Sequence, residues 1–362
     1  MNLWSISFAY RLGLGFHALN NEGADGSNLM QPRRIDVGNV TYDGISGEII
    51  RRHILENFVN ICRNEEIPML PLSAALHPDR GLIGIRVAAK RLDYSKLTND
   101  VLFGSVRKAI ELCAVLDTGG YLAAWKEQEG GGAKKEYLAE KDYIESQCVE
   151  YEGVEPVKRE SCFDVAWLIS EMPQDLTVTQ HSAFRDTFAM NSRYAQTMRS
   201  NIYGGVVRAD LHRIGTDDYW YLQRENNGKE VARLAIQPDD QRKRQVALVR
   251  AIANFLASPT GAKVAGWAPH VFLTEGAILL SSVRTAPFVS PIKVCLNDGI
   301  QPVQPNPGYS QSMTSLADEQ KVWAWPFKNA RELLEATEQV IKVLEEGHDG
   351  QEQKQRTKAT TG

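Results

Sequence analysis

From Trp4 to Phe16 every second residue is apolar: Trp4, Ile6, Phe8, Tyr10, Leu12, Leu14 and Phe16 alternate with Ser5, Ser7, Ala9, Arg11, Gly13 and Gly15. Side chains of a strand point to opposite faces with period 2. The pattern therefore predicts a long strand with one face in a core, and a small, polar face turned to solvent or to a ligand lying across the sheet. That second face is the first candidate binding surface. The chain then runs through a polar, glycine-bearing stretch, His17 to Asn28, to Gln31-Pro-Arg-Arg34 and the turn Tyr42-Asp-Gly44. This reads as a long functional loop.

A helix is predicted next, with Ser46 as N-cap, Glu48 in the first turn, and Ile50, Ile54, Phe58 and Ile61 as its buried stripe. Free N–H groups at its start, the small Gly47, and Arg51, Arg52 and His53 in the following turn make a phosphate seat. A capped amphipathic helix with basic solvent residues is a compatible plain reading. Further on, Leu82–Ala88 reads as a strand, Val101–Leu116 as a helix, and the glycine-rich run ending in Lys134-Lys135 as a linker. Those lysines follow an alanine, with Glu136 where a phosphate loop needs a hydroxyl, so the spacing is not that of a nucleotide-binding loop. Strands are expected at Ser161–Ser170, Val206–Ile214 and Val271–Val283, and a helix at Asp239–Ala257. Between the first two lies a polar excursion, 171–202, whose cations, amides and aromatics suit an arm that stacks on bases and holds phosphates. An ordinary surface loop is the alternative.

The order strand, helix, strand, arm, strand, helix, strand is the ferredoxin-like plan of many RNA-recognition domains. The fold class expected is α+β, with a ferredoxin-like (RRM-like) palm at 1–63 and 161–285 and an insertion at 64–160. An extension at 286–346, with a helix near Asn329–Glu346, and a disordered tail at 347–362 follow.

A formal net charge of -4 argues against nucleic-acid binding by bulk positive charge, so any RNA groove must be local. Basic residues do cluster, at Arg33–Arg34, Arg51–Arg52–His53, Lys90–Arg91 and Arg242–Lys243–Arg244. Each cluster also reads as a solvated face. The five cysteines are scattered without a Cys-x-x-Cys pair, which indicates reduced, buried thiols rather than disulfides or zinc. No secretory leader and no apolar run of about 20 residues is present, so a cytoplasmic protein without a membrane span is expected.

His17-Ala-Leu-Asn-Asn-Glu-Gly23, Gln31-Pro-Arg-Arg34 and Gly44-Ile-Ser-Gly-Glu48 resemble the start of the DevR-like backbone subunits of type I CRISPR effector complexes, members of the RAMP superfamily. Leu112-Cys-Ala-Val-Leu-Asp-Thr-Gly-Gly-Tyr121, Lys158-Arg-Glu-Ser161 and Tyr203-Gly-Gly-Val-Val-Arg-Ala-Asp-Leu-His-Arg213 fit in the same order, spanning about residues 1–285. The resemblance implies a hand-like protein, with 64–160 as a finger-like insertion and 171–202 as a thumb. Copies would polymerise along one crRNA in a helical filament within a Cascade complex, beside other Cascade subunits, and present the guide to target DNA or RNA. Carried over residue by residue, the RNA-binding set is Asn20, Asn21, Arg33 and Arg34 in the loop, Ser46, Gly47 and Arg51 at the helix start, and Gln180, His181, Arg185 and Arg199 in the thumb. No cofactor is implied.

Related subunits of type III complexes cut RNA with an aspartate in the loop after the first strand, which singles out Asp25 and Asp36. Two-metal phosphoryl chemistry needs several converging carboxylates, and no second ligand is visible. His17, His53, His181, His212 and His270 offer no acid–base pair by spacing. A non-enzyme without a metal site is therefore expected. A metal-dependent ribonuclease subunit and a stand-alone developmental or transcriptional regulator are the rival readings.

Overall fold

The computed structural model describes residues 4–19, 21–24, 29–125, 146–173, 177–183, 192–224, 227–259, 269–282, 286, 290–295, 299–302 and 322–360. In 21–24, 29–32, 177–183, 192–197, 293–295, 299, 301–302 and 347–360 only the backbone is described. In chain order, the first elements are β1 Ser5–His17, β2 Asn21–Ala24, β3 Leu29–Val37, β4 Val40–Ile45 and α1 Gly47–Asn64. Helices α2 Arg80–Arg91, α3 Asn99–Leu112 and α4 Ala114–Gly119 follow. Then come β5 Leu168–Pro173, β6 Thr177–Ala183, β7 Ser192–Ala209 and α5 Pro238–Ala257. The chain closes with β8 His270–Ser281, β9 Ile292–Cys295, β10 Gly299–Pro302, β11 Val322–Phe327 and α6 Ala330–Thr360. The class is mixed α/β with a mainly antiparallel sheet.

The chain divides into two compact units. The sheet unit takes Met1–Asn57, Asp164–Asp210 and Val249–Gly362; the helical unit takes Phe58–Phe163 and Leu211–Leu248. Residues 211–248, which the sequence pattern places in the palm, therefore belong with the helices.

In the sheet unit the strands run β11-β8-β1-β7-β5-β4-β3-β2, with β6 paired to β7 off that path. β1 lies at the centre, antiparallel to β7 (Phe8↔Val207, Leu12↔Tyr203) and to β8 (Phe8↔Ile278, Leu12↔Thr274). Its even residues Ile6, Phe8, Tyr10, Leu12 and Leu14 are fully buried, as the alternation predicts. The odd face is not open, however. Ser5 and Ser7 are 0% exposed and Arg11 8%.

The cover for that face comes from the far end of the chain. Ser5 Oγ accepts the Ala286 N–H at 2.5 Å. Gly204, opposite Arg11 in register, lies under Ile292, whose Cγ2 would be 2.5 Å from a Cβ built there. Ile292 and Ile300 also share a cluster with Val37 and Tyr42. Arg11 meets Glu171 by a fork of bonds at 2.5 and 2.8 Å and also pairs with Glu275, which neutralises it in place. Phe16, expected on the buried face, is 62% exposed. Its φ of 50° turns it out of the pattern where β1 shifts register.

α1 starts as predicted: the Ile49 N–H donates to Ser46 Oγ at 3.5 Å, Glu48 sits in the first turn and Arg63 in the last. α6 packs on β11 and β8 and extends past the expected end at 346 to Thr360. The polar excursion 171–202 contains a hairpin, β6 against β7, rather than a plain loop.

In the helical unit, Leu82–Ala88 is helical rather than a strand, inside α2. A short apolar run is ambiguous between the two states, and here Gly81 and Gly84 let Tyr121 and Leu116 pack closely on the helix. Cys62, Cys113 and Cys162 are buried free thiols, whereas Cys148 is half-buried. No helix of the described residues is long and apolar enough to cross a membrane.

Candidate nucleic-acid interface

The predicted binding residues of the sheet unit fall into distinct environments. β3 and β4 form a hairpin with Arg33 opposite Gly44 and Arg34 opposite Asp43. Arg34 is exposed. Arg33 is half-buried, with its guanidinium carbon 5.1 Å from the centroid of the Trp167 ring. Trp167 is 41% exposed, so the pair presents a cation and a π-face together at the surface. Sequence reading does not single out Trp167. Its signal is present, as an aromatic in a segment that reads as a uniformly buried strand; the strand in fact stops after Phe163–Val165 and resumes at β5, which leaves Trp167 between the two.

The phosphate seat at the start of α1 is closed. Ser46 is 3% exposed, and a Cβ on Gly47 would lie 2.3 Å from the Val165 carbonyl oxygen. The close approach that the glycine permits is therefore to the protein's own backbone, and Ser46 serves as the cap. Arg51 is half-buried on α1, Arg52 pairs with Glu56 at 3.1 Å, and His53 is buried, stacked parallel to Phe255 at 6.3 Å.

Arg199, read as a thumb contact, is 3% exposed. Its Nε lies 2.5 Å from Asp43 Oδ2, and it donates to the Leu19 carbonyl. Asp43 also accepts the Tyr203 hydroxyl, and His17 Nε2 lies 2.8 Å from that hydroxyl. Burial raises the Asp43 carboxyl to about 6, against the pull of Arg199. Burial, with Arg199 nearby, holds the His17 imidazole well below its usual range. Burial also raises the Tyr203 phenol. His17 is therefore neutral, and the arginine–aspartate pair is the charged part of the group.

Asn20 and Arg185 lie outside the described residues, as does Asp25; the side chains of Asn21, Gln180 and His181 do too, although their backbones sit in β2 and β6. Within β6, Gln180 pairs with Ala195 and His181 with Tyr194. The structure thus brings the loop after β1 and Arg199 of the arm strand together, and sets Arg33 beside Trp167. Asp36 accepts the Thr41 hydroxyl at 2.7 Å across the β3–β4 hairpin. Among the described residues, no group of three or more His, Cys, Asp or Glu side chains could hold a metal ion.

Residues 8–301 match the family model described as CRISPR-associated negative auto-regulator DevR/Csa2. Among solved structures, the chain is similar at 13% identity to a chain of a "CRISPR RNA-guided surveillance complex, pre-nicking", over 75% of this chain and 78% of that one, with a TM-score of 0.37. A chain of a "CRISPR RNA-guided surveillance complex" is 12% identical over 89% and 86%, at a TM-score of 0.35. Csc2 of Thermofilum pendens is 9% identical over 92% and 81%, at a TM-score of 0.36. No curated protein matches the chain.

Proposed function

The chain belongs to the CRISPR-associated DevR/Csa2 family, and from that premise we propose that it is a backbone subunit that binds a guide RNA in a Cascade-type complex. The observation that carries the reading is the family match across residues 8–301. In this reading, copies polymerise along the guide beside other subunits, and the guide is presented for pairing with target DNA or RNA. The protein reads backbone shape and leaves sequence to base pairing. The core order β8-β1-β7-β5, joined in sequence through α1 and α5, supports a ferredoxin-like palm. The β6–β7 hairpin supports a thumb within 171–202.

The RNA surface proposed is the ledge of Arg33 on Trp167 with exposed Arg34, together with Arg51, with Asn20 and Asn21 after β1, and with Gln180, His181 and Arg185 of the arm. Aromatic faces stack bases of any sequence, and arginines meet phosphates bidentately. Ser46, Gly47 and Arg199 drop out, since the structure uses them internally.

The test is quantitative RNA retention. Arg33→Ala with Arg34→Ala should lower the slope of log affinity against log salt by about 0.7 for each phosphate that is no longer neutralised, as for single strands. Trp167→Ala should weaken binding by about 1–3 kcal/mol with little change in that slope. If both folded variants keep the guide RNA of the parent protein, the surface is elsewhere. The family's own description, an auto-regulator, favours one second reading, regulation outside any complex. Purification from the native host separates the two: a guide with a repeat-derived end should accompany a backbone subunit and be absent from a free regulator.

A further inference from the structure

The end of β1 is fastened to one short stretch of β7. The Phe16 N–H donates to Ser200 Oγ at 2.9 Å. The Leu19 N–H donates to His17 Nδ1 at 3.3 Å, and the Leu19 carbonyl accepts from Arg199. Both backbone polar groups of Leu19 are thus engaged, immediately before Asn20. The donor directions form a consistent circuit. Because His17 Nδ1 accepts, the neutral ring carries its proton on Nε2 and donates to the Tyr203 oxygen. Tyr203 donates on to Asp43, which pairs with Arg199, and Arg199 returns to Leu19.

Other features mark the same place. Phe16 sits at φ 50°, a left-handed conformation that persists only where the surroundings over-determine it. β1 shifts register against β7 between Leu14 and His17, and against β8 between Gly13 and Leu14. The strand is being re-aimed here, at the start of the loop. On the other side, β7 pairs with β6 from Ser192 to Met198, so Arg199 follows the last paired residue of the arm.

We infer that the circuit of Asp43, Arg199, Tyr203 and His17 is a strut that holds the loop after β1 and the β6–β7 arm as one gripping element, so that RNA bound at one orders the other. The inference rests on the reading of both segments as RNA contacts. These four are positioning residues: they act on RNA through Leu19 and β7.

The test is amide hydrogen exchange on the full chain, with and without guide RNA. Tyr203→Phe removes only the hydroxyl that joins His17 to Asp43. The Leu19 amide should exchange roughly tenfold faster while amides of α1 keep their rates, and RNA affinity should fall by roughly tenfold, the scale of one broken buried hydrogen bond. RNA should then slow exchange in the arm without slowing it at Leu19. Unchanged Leu19 exchange in a folded Tyr203→Phe overturns the strut. Faster Leu19 exchange with unaltered RNA affinity supports the strut and overturns instead the loop's part in RNA binding. Should Tyr203→Phe lose protection throughout, Ser200→Ala at an exposed position takes its place: faster exchange at the Phe16 amide alone supports the fastening, and an unchanged rate overturns it.

Discussion

Each unit buries an aspartate against arginine, and the two sites differ in what the arginines reach. In the helical unit Asp117, 0% exposed, meets Arg159 at 2.5 Å and Arg244 at 2.8 Å, and accepts the Gly215 N–H at 2.9 Å on both oxygens. Arg159 also donates to the carbonyls of Asp117, Thr216 and Arg213, and Arg244 to those of Ile110 and Glu111. Every one of these partners is internal to that unit, so the site ties its segments to one another. In the sheet unit the pair Asp43–Arg199 passes through Tyr203 and His17 to a loop end at Leu19. The same chemistry is a lock in one place and a strut in the other, and the distinction lies in whether the last acceptor belongs to a fixed element or to the mouth of a loop.

The lock should be the costlier to break. Asp117→Ala leaves two buried guanidinium groups without their carboxylate and should lower stability by about 3–5 kcal/mol, read from the urea midpoint. A loss no larger than that of Tyr203→Phe would erase the contrast between the two sites.

A pH titration sharpens the comparison at smaller amplitude. The native His17 resists protonation, so as pH falls through the ordinary value of 6.5 only the unfolded chain takes up that proton. Native stability should therefore decline, by at most about 1.4 kcal/mol per pH unit. Asp43 works in the opposite sense: with its carboxyl raised to about 6, the native state takes the proton first, which adds stability as pH falls from about 6 to 3.8. The His17 contribution should stand out between pH 7 and 6, and His17→Gln should flatten the decline in melting temperature there. An unchanged pH profile would show that burial does not hold the imidazole neutral in the folded chain.

The smallest effect is expected at the surface. The Arg52–Glu56 pair on α1, with Arg52 57% exposed, should contribute about 0.3–0.5 kcal/mol, so Arg52→Ala should barely move the urea midpoint. A larger loss would show that burial is not what separates these pairs.

Much of the local structure was legible. The alternation in β1, the capped stripe of α1, and the apolar patterns of α5 and β8 each carry a period that a core enforces, and these elements stand within a few residues of where the pattern puts them. The site was less legible, because charge has no period. Arg244 sits in sequence in a basic run and reads as a surface residue, and Arg199 sits in a polar stretch and reads as an RNA contact, yet each is buried against an aspartate more than a hundred residues away. Arg11 is likewise sealed by Glu171 and Glu275. Trp167 was hidden for the converse reason, since an aromatic in an apolar run looks like core until an interruption of the strand exposes it.

By itself the sequence determined that β1 would be a strand with an apolar face, that a capped helix would follow, and that an acidic chain could bind RNA only through a local surface; the segments from His17 to Arg213 tied it to its family. These follow from neighbour-range physics, since side-chain alternation and helix capping need only a few adjacent residues. Which polar groups face solvent was decided by the tertiary structure alone. Ile292 closes the odd face of β1, Val165 closes the start of α1, and Asp43 draws Arg199 inward. A charged group is buried only where a partner offsets its lost hydration, and distant strands bring that partner to it only once the chain has folded.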